Sequence, residues 1–210
     1  MIVGLGNPGH SYVWTRHNAG FLWLDRMMAR LGAEPQAGSV EYDLWSCEKG
    51  QQVIFFMKPL TYMNLSGQAV SSFLRRIPLE REAILIAYDD VALPLGRIRL
   101  RPSGSAGGQK GMRHIIETLQ TSEIARLRIG IQTPAISQMP LVDYVLERFS
   151  EDELAVVGDV FDIAVEAVTA WLDGEQLKDV MSRFNPKAAD VSRIEGSRKH
   201  EPRLGGEEIE

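Results

Sequence analysis

The spacing of apolar and polar residues divides the chain into short strands and amphipathic helices. Met1-Ile2-Val3 is an apolar run stopped by Gly4-Leu5-Gly6-Asn7-Pro8-Gly9, the pattern of a buried first strand entering a glycine-rich turn. Phe21 to Leu31 carries large apolar residues at helical spacing and ends at Gly32, a residue suited to a helix C-cap. Val40–Cys47 and Gln52–Lys58 are alternating or β-rich runs around Lys49-Gly50, which predicts a hairpin. Asn64–Arg76 reads as a helix, and Ile84–Tyr88 as an apolar strand ending at Asp89-Asp90. Arg97–Arg101 alternates Arg with Ile and Leu, as in a strand with one solvated basic face. A second glycine-rich loop, Gly104–Gly111, precedes helix-like Met112–Leu119 and strand-like Leu127–Ile131. Ser150-x-x-Glu153 has the form of a capping box, opening a helix that runs to Trp171 and Leu172, and Leu177–Phe184 is a shorter amphipathic stretch.

Strands interleaved with helices predict the α/β class: a single domain, residues 1–186, with a mixed, twisted β-sheet flanked by helices. The mixture follows from the hairpin. Residues 187–210 are polar and charged, five basic and six acidic, and are expected to be a disordered or loosely attached tail. With 210 residues and 44% hydrophobic composition the chain can bury a sizeable core. No apolar run is long enough to span a bilayer, and the N-terminus lacks the features of a signal peptide. The single cysteine, Cys47, excludes an intramolecular disulfide framework and a cysteine metal cluster. These features predict a soluble, cytoplasmic protein.

Three places carry candidate chemistry. Gly4-x-Gly6-x-x-Gly9 satisfies the dinucleotide-binding pattern, which requires the last glycines to open a helix facing the pyrophosphate. Here Pro8 and His10-Ser11-Tyr12 occupy that region, and Asp25 falls inside the following helix instead of ending a strand. His17, in Thr15-Arg16-His17-Asn18, is either a structural histidine beside a helix start or a general base. Asp89, at a strand end, would fix its tautomer and favour its protonated form if the two meet. Asn64 is either an N-cap or a neutral amide placed for a substrate carbonyl or a developing oxyanion, and Asn7 has the same two readings.

Taken in order, Gly4-Leu5-Gly6-Asn7-Pro8-Gly9, Thr15-Arg16-His17-Asn18-Ala19-Gly20 and Met63-Asn64-Leu65-Ser66-Gly67 resemble successive signatures of bacterial peptidyl-tRNA hydrolase. The Asp89 strand end, Leu93-Pro94-Leu95-Gly96 and Arg126-Leu127-Arg128-Ile129-Gly130-Ile131 extend the resemblance, which runs to about Phe184. It implies hydrolysis of the ester joining a peptide to the tRNA 3′ end, without metal or cofactor, by a monomer that has no membrane partner. It also implies that His17 is the general base, Asp89 its partner, and Asn7 and Asn64 the residues holding the peptide and the attacked carbonyl. Tyr12 and Tyr62 would lie against the substrate end, and Arg97, Arg99, Arg101 and Arg128 along the acceptor-stem phosphates.

The second glycine loop departs from the family, reading Gly108-Gln109-Lys110-Gly111 where a His-Asn pair is usual. Gln109 offers an amide donor and acceptor but carries no proton in acid–base work. Lys110 is a cation suited to a phosphate or an oxyanion, and His114, inside the helix-like stretch, is not taken as a substitute.

Charge has to be read by segment. A total of 23 basic and 28 acidic residues, net −5, argues against a polyanionic partner. Yet residues 97–128 hold seven basic and two acidic residues, a local surplus of +5 that leaves −10 elsewhere. A basic segment gathered about two strands and a glycine loop suits phosphate. Two rivals stay open: an RNA-binding module of the same fold without catalysis, and a nucleotide-dependent oxidoreductase using the first glycine loop.

Overall fold

A computed structural model describes residues 1–189. The first apolar run forms β1 (Ile2–Gly4), and α1 (Ala19–Leu31) ends where Gly32 takes the left-handed conformation at φ 63°. The hairpin of β3 (Tyr42–Lys49) and β4 (Gln52–Pro59) is present, preceded by an edge strand, β2 (Glu34–Ser39). After α2 (Ser66–Arg76) come β5 (Leu85–Pro94), β6 (Ile98–Arg101), α3 (Lys110–Leu119) and β7 (Ala125–Gln132). Three helices close the described chain: α4 (Leu141–Leu146), α5 (Glu151–Leu172) and α6 (Leu177–Phe184).

The seven strands form one mixed sheet in the order β2-β3-β4-β1-β5-β7-β6. β1 runs parallel to β4 and β5, and β5 runs parallel to β7; the remaining pairs are antiparallel. Alternation along each strand feeds two cores. Ile2, Phe56, Leu85, Ala87 and Leu127 pack with α1, α5 and α6, whereas Val3, Met57, Ile86 and Tyr88 pack with α2 and α3. The result is a three-layer α/β domain.

The first glycine motif is used for packing. A Cβ on Gly4 would stand 2.4 Å from the carbonyl oxygen of Gly20, and one on Gly20 2.4 Å from that of Ala87. Only glycines at both positions let α1 lie so close over β1 and β5. A Cβ on Gly6 would enter the Phe21 ring at 2.6 Å. Gly4 and Gly6 are thus closed off by α1, and Gly9, which has open space around it, leads into a single 3-10 turn, His10–Tyr12, instead of a helix that could face a pyrophosphate. This removes the dinucleotide reading.

Several boundaries differ from the sequence expectation for local reasons. A 3-10 turn, Met63–Leu65, precedes α2, so the helix begins at Ser66 and not at Asn64. β5 continues through Asp89 and Asp90, which stay in register with Ile129 and Gly130 because both carboxylates find cationic or amide partners. α3 starts at Lys110 because the side chain of Gln109 caps it.

The capping box of α5 is complete: Ser150 Oγ accepts from the Glu153 N–H at 3.2 Å, and Glu153 Oε2 accepts from the Ser150 N–H at 3.0 Å. Ser150→Ala is expected to cost about 1 kcal/mol, read as a lower urea midpoint with an unchanged m-value; an unchanged midpoint would show that α5 is held by packing alone.

The chain after α6 closes the free edge of β6. Asn185 Oδ1 accepts from the Leu100 N–H at 2.7 Å, Ala188 bridges to Arg97, and the Ala189 N–H donates to the Gly96 carbonyl at 2.8 Å. The first three residues of the expected tail, Lys187–Ala189, therefore lie against the domain. Residues 190–210 of that tail lie outside the described residues.

Candidate active site

In parallel sheets a binding crevice opens outside the carboxyl ends of neighbouring strands whose connections leave on opposite faces. That point falls at β1. The chain leaves β1 for α1 on one face, and leaves β4 for α2 on the other. The loops after β1 and β4, the outer part of β5 and the start of α3 line a cavity of ≈ 880 Å³ there.

His17 sits in a 3-10 turn, Arg16–Asn18, just before α1, and both neighbours fasten it. The Asn18 side chain accepts from the Asn7 N–H at 2.8 Å and donates to the Asn7 carbonyl at 3.0 Å. The Arg16 guanidinium is buried between Glu153, at 2.9 Å, and Glu147, at 2.8 Å, with its cationic carbon 4.5 Å from the Tyr144 ring centre. His17 Nδ1 lies 2.8 Å from Asp89 Oδ2. Beside an ionised carboxylate that nitrogen carries the proton, which leaves Nε2 as the basic atom. Burial of His17 pulls its pKa down, but the charge of Asp89 and its hydrogen bond outweigh burial and hold the pKa above the ordinary 6.5; Lys110 opposes them.

Asp89 is buried and held from both sides, since Gln109 Nε2 donates to its Oδ1 at 3.1 Å. The amide orientation of Gln109 is determined by its neighbours: Oε1 accepts from the Met112 N–H at 2.7 Å, so the NH₂ must face the carboxylate. Gln109 is thus a bracket behind Asp89. Lys110, in the first turn of α3, lines the cavity and is exposed.

The two asparagines separate. Asn7 Oδ1 accepts from the Met63 N–H at 2.9 Å, which commits its oxygen and leaves Nδ2 as the group it offers to the cavity. Asn64 is exposed and lines the cavity; the capping position of α2 is Leu65, and no side chain caps there. The N-cap reading of Asn64 does not hold. Tyr62 lines the cavity as well, whereas Tyr12 is not part of the lining.

The cations also divide. β6 and β7 pair Arg99 with Arg128 and Arg101 with Arg126, which puts these four on one face of the sheet. Arg101, Arg126 and Arg128 line the cavity. Arg128 is ion-paired to Asp90, and Arg126, 2% exposed, donates to the carbonyls of Gly104, Ser105, Ser122 and Ile124. Arg126 therefore shapes the glycine loop. Arg99, Arg101 and Lys110 make no ion pair among the described residues. The Arg97 guanidinium turns away, donating to the Pro186 carbonyl at 3.1 Å.

One wall was missed at the sequence level. Leu141, Val142, Val145 and Leu146 of α4 line the cavity, with Leu141 and Val142 52% and 57% exposed. The signal was present as apolar residues at i, i+1, i+4 and i+5 directly after Pro140. Among the described residues no three His, Cys, Asp or Glu side chains gather as a metal-binding group, and no helix is long and apolar enough to cross a membrane.

The sequence model of the peptidyl-tRNA hydrolase family matches residues 1–192. This chain belongs to that family. A peptidyl-tRNA hydrolase of Shouchella clausii is 40% identical over 185 residues, spanning 88% of this chain and 99% of its own. One from Pelodictyon phaeoclathratiforme is 46% identical over 189 residues, spanning 88% and 97%. The crystal structure of peptidyl-tRNA hydrolase from Acinetobacter baumannii superposes with a TM-score of 0.82 at 32% identity, covering 89% of this chain and 94% of that one. The peptidyl-tRNA hydrolase fold thus accounts for the α/β domain, with its seven-strand mixed sheet flanked by helices.

Proposed function

We propose that this chain hydrolyses the ester between the peptide and the 3′ end of tRNA in peptidyl-tRNA, with His17 as general base. The observation that carries this reading is the 2.8 Å contact of His17 Nδ1 with buried Asp89, in a cavity that also presents Asn7, Asn64 and Lys110. His17 Nε2 takes a proton from water as the water oxygen attacks the ester carbonyl. Negative charge gathers on the carbonyl oxygen, where the amide donors of Asn7 and Asn64 meet it. Collapse of the tetrahedral species breaks the bond to the ribose oxygen, which recovers the proton from the His17 imidazolium. The products are a peptide with a free carboxylate and a tRNA with a free 3′ end.

The cavity divides the substrate by chemistry. The apolar α4 wall suits peptide side chains, and Tyr62 adds an exposed ring to the lining. Arg101 and Lys110, with Arg99 beside them, suit the phosphates of the acceptor stem and 3′ end, whereas Arg128 is already neutralised by Asp90. On this reading the site of action is the cytoplasm, where peptidyl-tRNA is formed, and the working unit is a monomer, as the resemblance to the family implies.

The deciding experiment incubates the protein with peptidyl-tRNA and follows release of free tRNA. Tight binding without release would favour the non-catalytic RNA module instead. The basic face has its own test, made on His17→Ala so that substrate survives. Arg99→Gln with Arg101→Gln is expected to weaken tRNA binding and to lower the slope of log K against log salt by about 0.7–0.9 for each phosphate no longer neutralised. An unchanged slope would remove these arginines from the interface.

A further inference from the structure

His114 is a half-buried titratable side chain outside the cavity lining, and the chemistry proposed above makes no use of it. It lies on α3, one turn beyond Lys110, and its Nδ1 accepts from the Gly67 N–H at 2.9 Å. Gly67 is the second residue of α2. Backbone N–H groups in a first helical turn have no partner within their own helix, and Leu65 at the capping position supplies none. The missing acceptor comes from the neighbouring helix. The approach is close: a Cβ on Gly67 would stand 2.4 Å from Thr118 Oγ1 and 2.6 Å from the His114 carbonyl oxygen. Accepting at Nδ1 requires the neutral ring with its proton on Nε2.

What this bond holds is the turn that carries Asn64. Met63–Leu65 runs directly into α2. The turn is tied at its start by the Met63 N–H on Asn7 Oδ1, at 2.9 Å, and closed internally by Ser66 Oγ donating to the Met63 carbonyl, also at 2.9 Å. The Asn64 side chain makes no hydrogen bond among the described residues, so the backbone of the turn alone determines where it points. Beyond Ser66, the polar anchor on this segment is the bond from Gly67 to His114.

We propose that His114 is a positioning residue for ester cleavage: by capping α2 from α3 it holds the Met63–Leu65 turn so that Asn64 meets the substrate in a constant place. The inference rests on the role given to Asn64 above.

The test separates the acceptor from the ring. In His114→Asn the side-chain Oδ1 stands at the same bond distance from Cβ as Nδ1, so the acceptor is kept and kcat for peptidyl-tRNA should match the unaltered enzyme. His114→Leu removes the acceptor and should lower kcat by about 3- to 10-fold, the worth of one hydrogen bond, with KM little changed. In an Asn64→Ala background the same leucine substitution should cost nothing further, because the residue it acts through is gone. Full kcat in His114→Leu overturns the inference, as does an equal loss in both backgrounds, which would indicate a general structural role. Full activity of Asn64→Ala alone rejects the reading of Asn64, and this inference with it. If His114→Leu does not fold, His114→Ser, whose hydroxyl is one bond too short, takes its place in the same comparison.

Discussion

His17→Ala is expected to lower kcat for peptidyl-tRNA by about 10²–10⁴-fold, the usual contribution of a positioned general base. KM should change little, because the phosphate and apolar contacts of the cavity are independent of the imidazole. The variant should keep its fold. His17 lies at the rim of the core, and the bonds that fasten its turn are made by Arg16 and Asn18 rather than by His17 itself. The measurement is single-turnover release of peptide from tRNA, which isolates the chemical step, together with the urea midpoint as a check on folding. A folded His17→Ala that retains most of its activity would show that water is activated elsewhere, and the assignment of Asp89 would fail with it. Full loss at an unchanged urea midpoint would place the whole effect in the chemical step.

Much of the architecture follows from local pattern, and the limits have physical causes. α1, the hairpin, α5 and α6 were legible because periodicity, a left-handed cap at Gly32 and a capping box act within a few residues. β2 was not, because Glu34–Ser39 is an exposed edge with no alternation, and it forms only by pairing with β3. The candidate site divides in the same way. His17, Asp89, Asn7 and Asn64 were named from sequence, but what each side chain is free to do depends on partners far along the chain. Asn7 and Asn64 look alike as residues, yet one has committed its oxygen to Met63 and the other has committed nothing.

The arginines show this most clearly. Alternation puts Arg126 and Arg128 on the same sheet face, and composition counts them equally. Arg126 is spent on two carbonyls of the glycine loop and two of the connection between α3 and β7, and Arg128 is tied to Asp90, while Arg101 makes no ion pair among the described residues. A segment surplus of +5 therefore overstates the charge available to a phosphate, although it locates the face correctly. Gln109 is a further case. Its departure from the family's usual residue is visible in sequence, but its use as a bracket behind Asp89 depends on a hydrogen bond across 20 residues and on the cap it makes for α3.

That bracket sharpens what Asp89→Asn should do. Gln109 presents a donor to Asp89 Oδ1, and His17 presents a donor to Oδ2; a carboxylate accepts from both. An asparagine has one oxygen and one NH₂. The orientation of Gln109 is locked by the Met112 N–H, so its donor draws the new oxygen and turns the new NH₂ toward His17. An NH₂ facing Nδ1 forces the ring proton onto Nε2, the atom that must be bare to accept a proton from water. Loss of the base in this way is expected to cost about 10²–10⁴-fold in kcat, close to removal of His17 itself. The pH dependence separates the two variants. The neutral form of His17 is the active one, so the rate rises as pH increases through its pKa. Burial alone would place that rise below 6.5, and the charge and hydrogen bond of Asp89 carry it above. In Asp89→Asn both are gone, burial and Lys110 remain, and the acid limb of the residual kcat/KM should move to lower pH. An acid limb that stays in place would mean that the limb in the unaltered enzyme reports another group, and one that moves to higher pH would contradict the electrostatics of the pair.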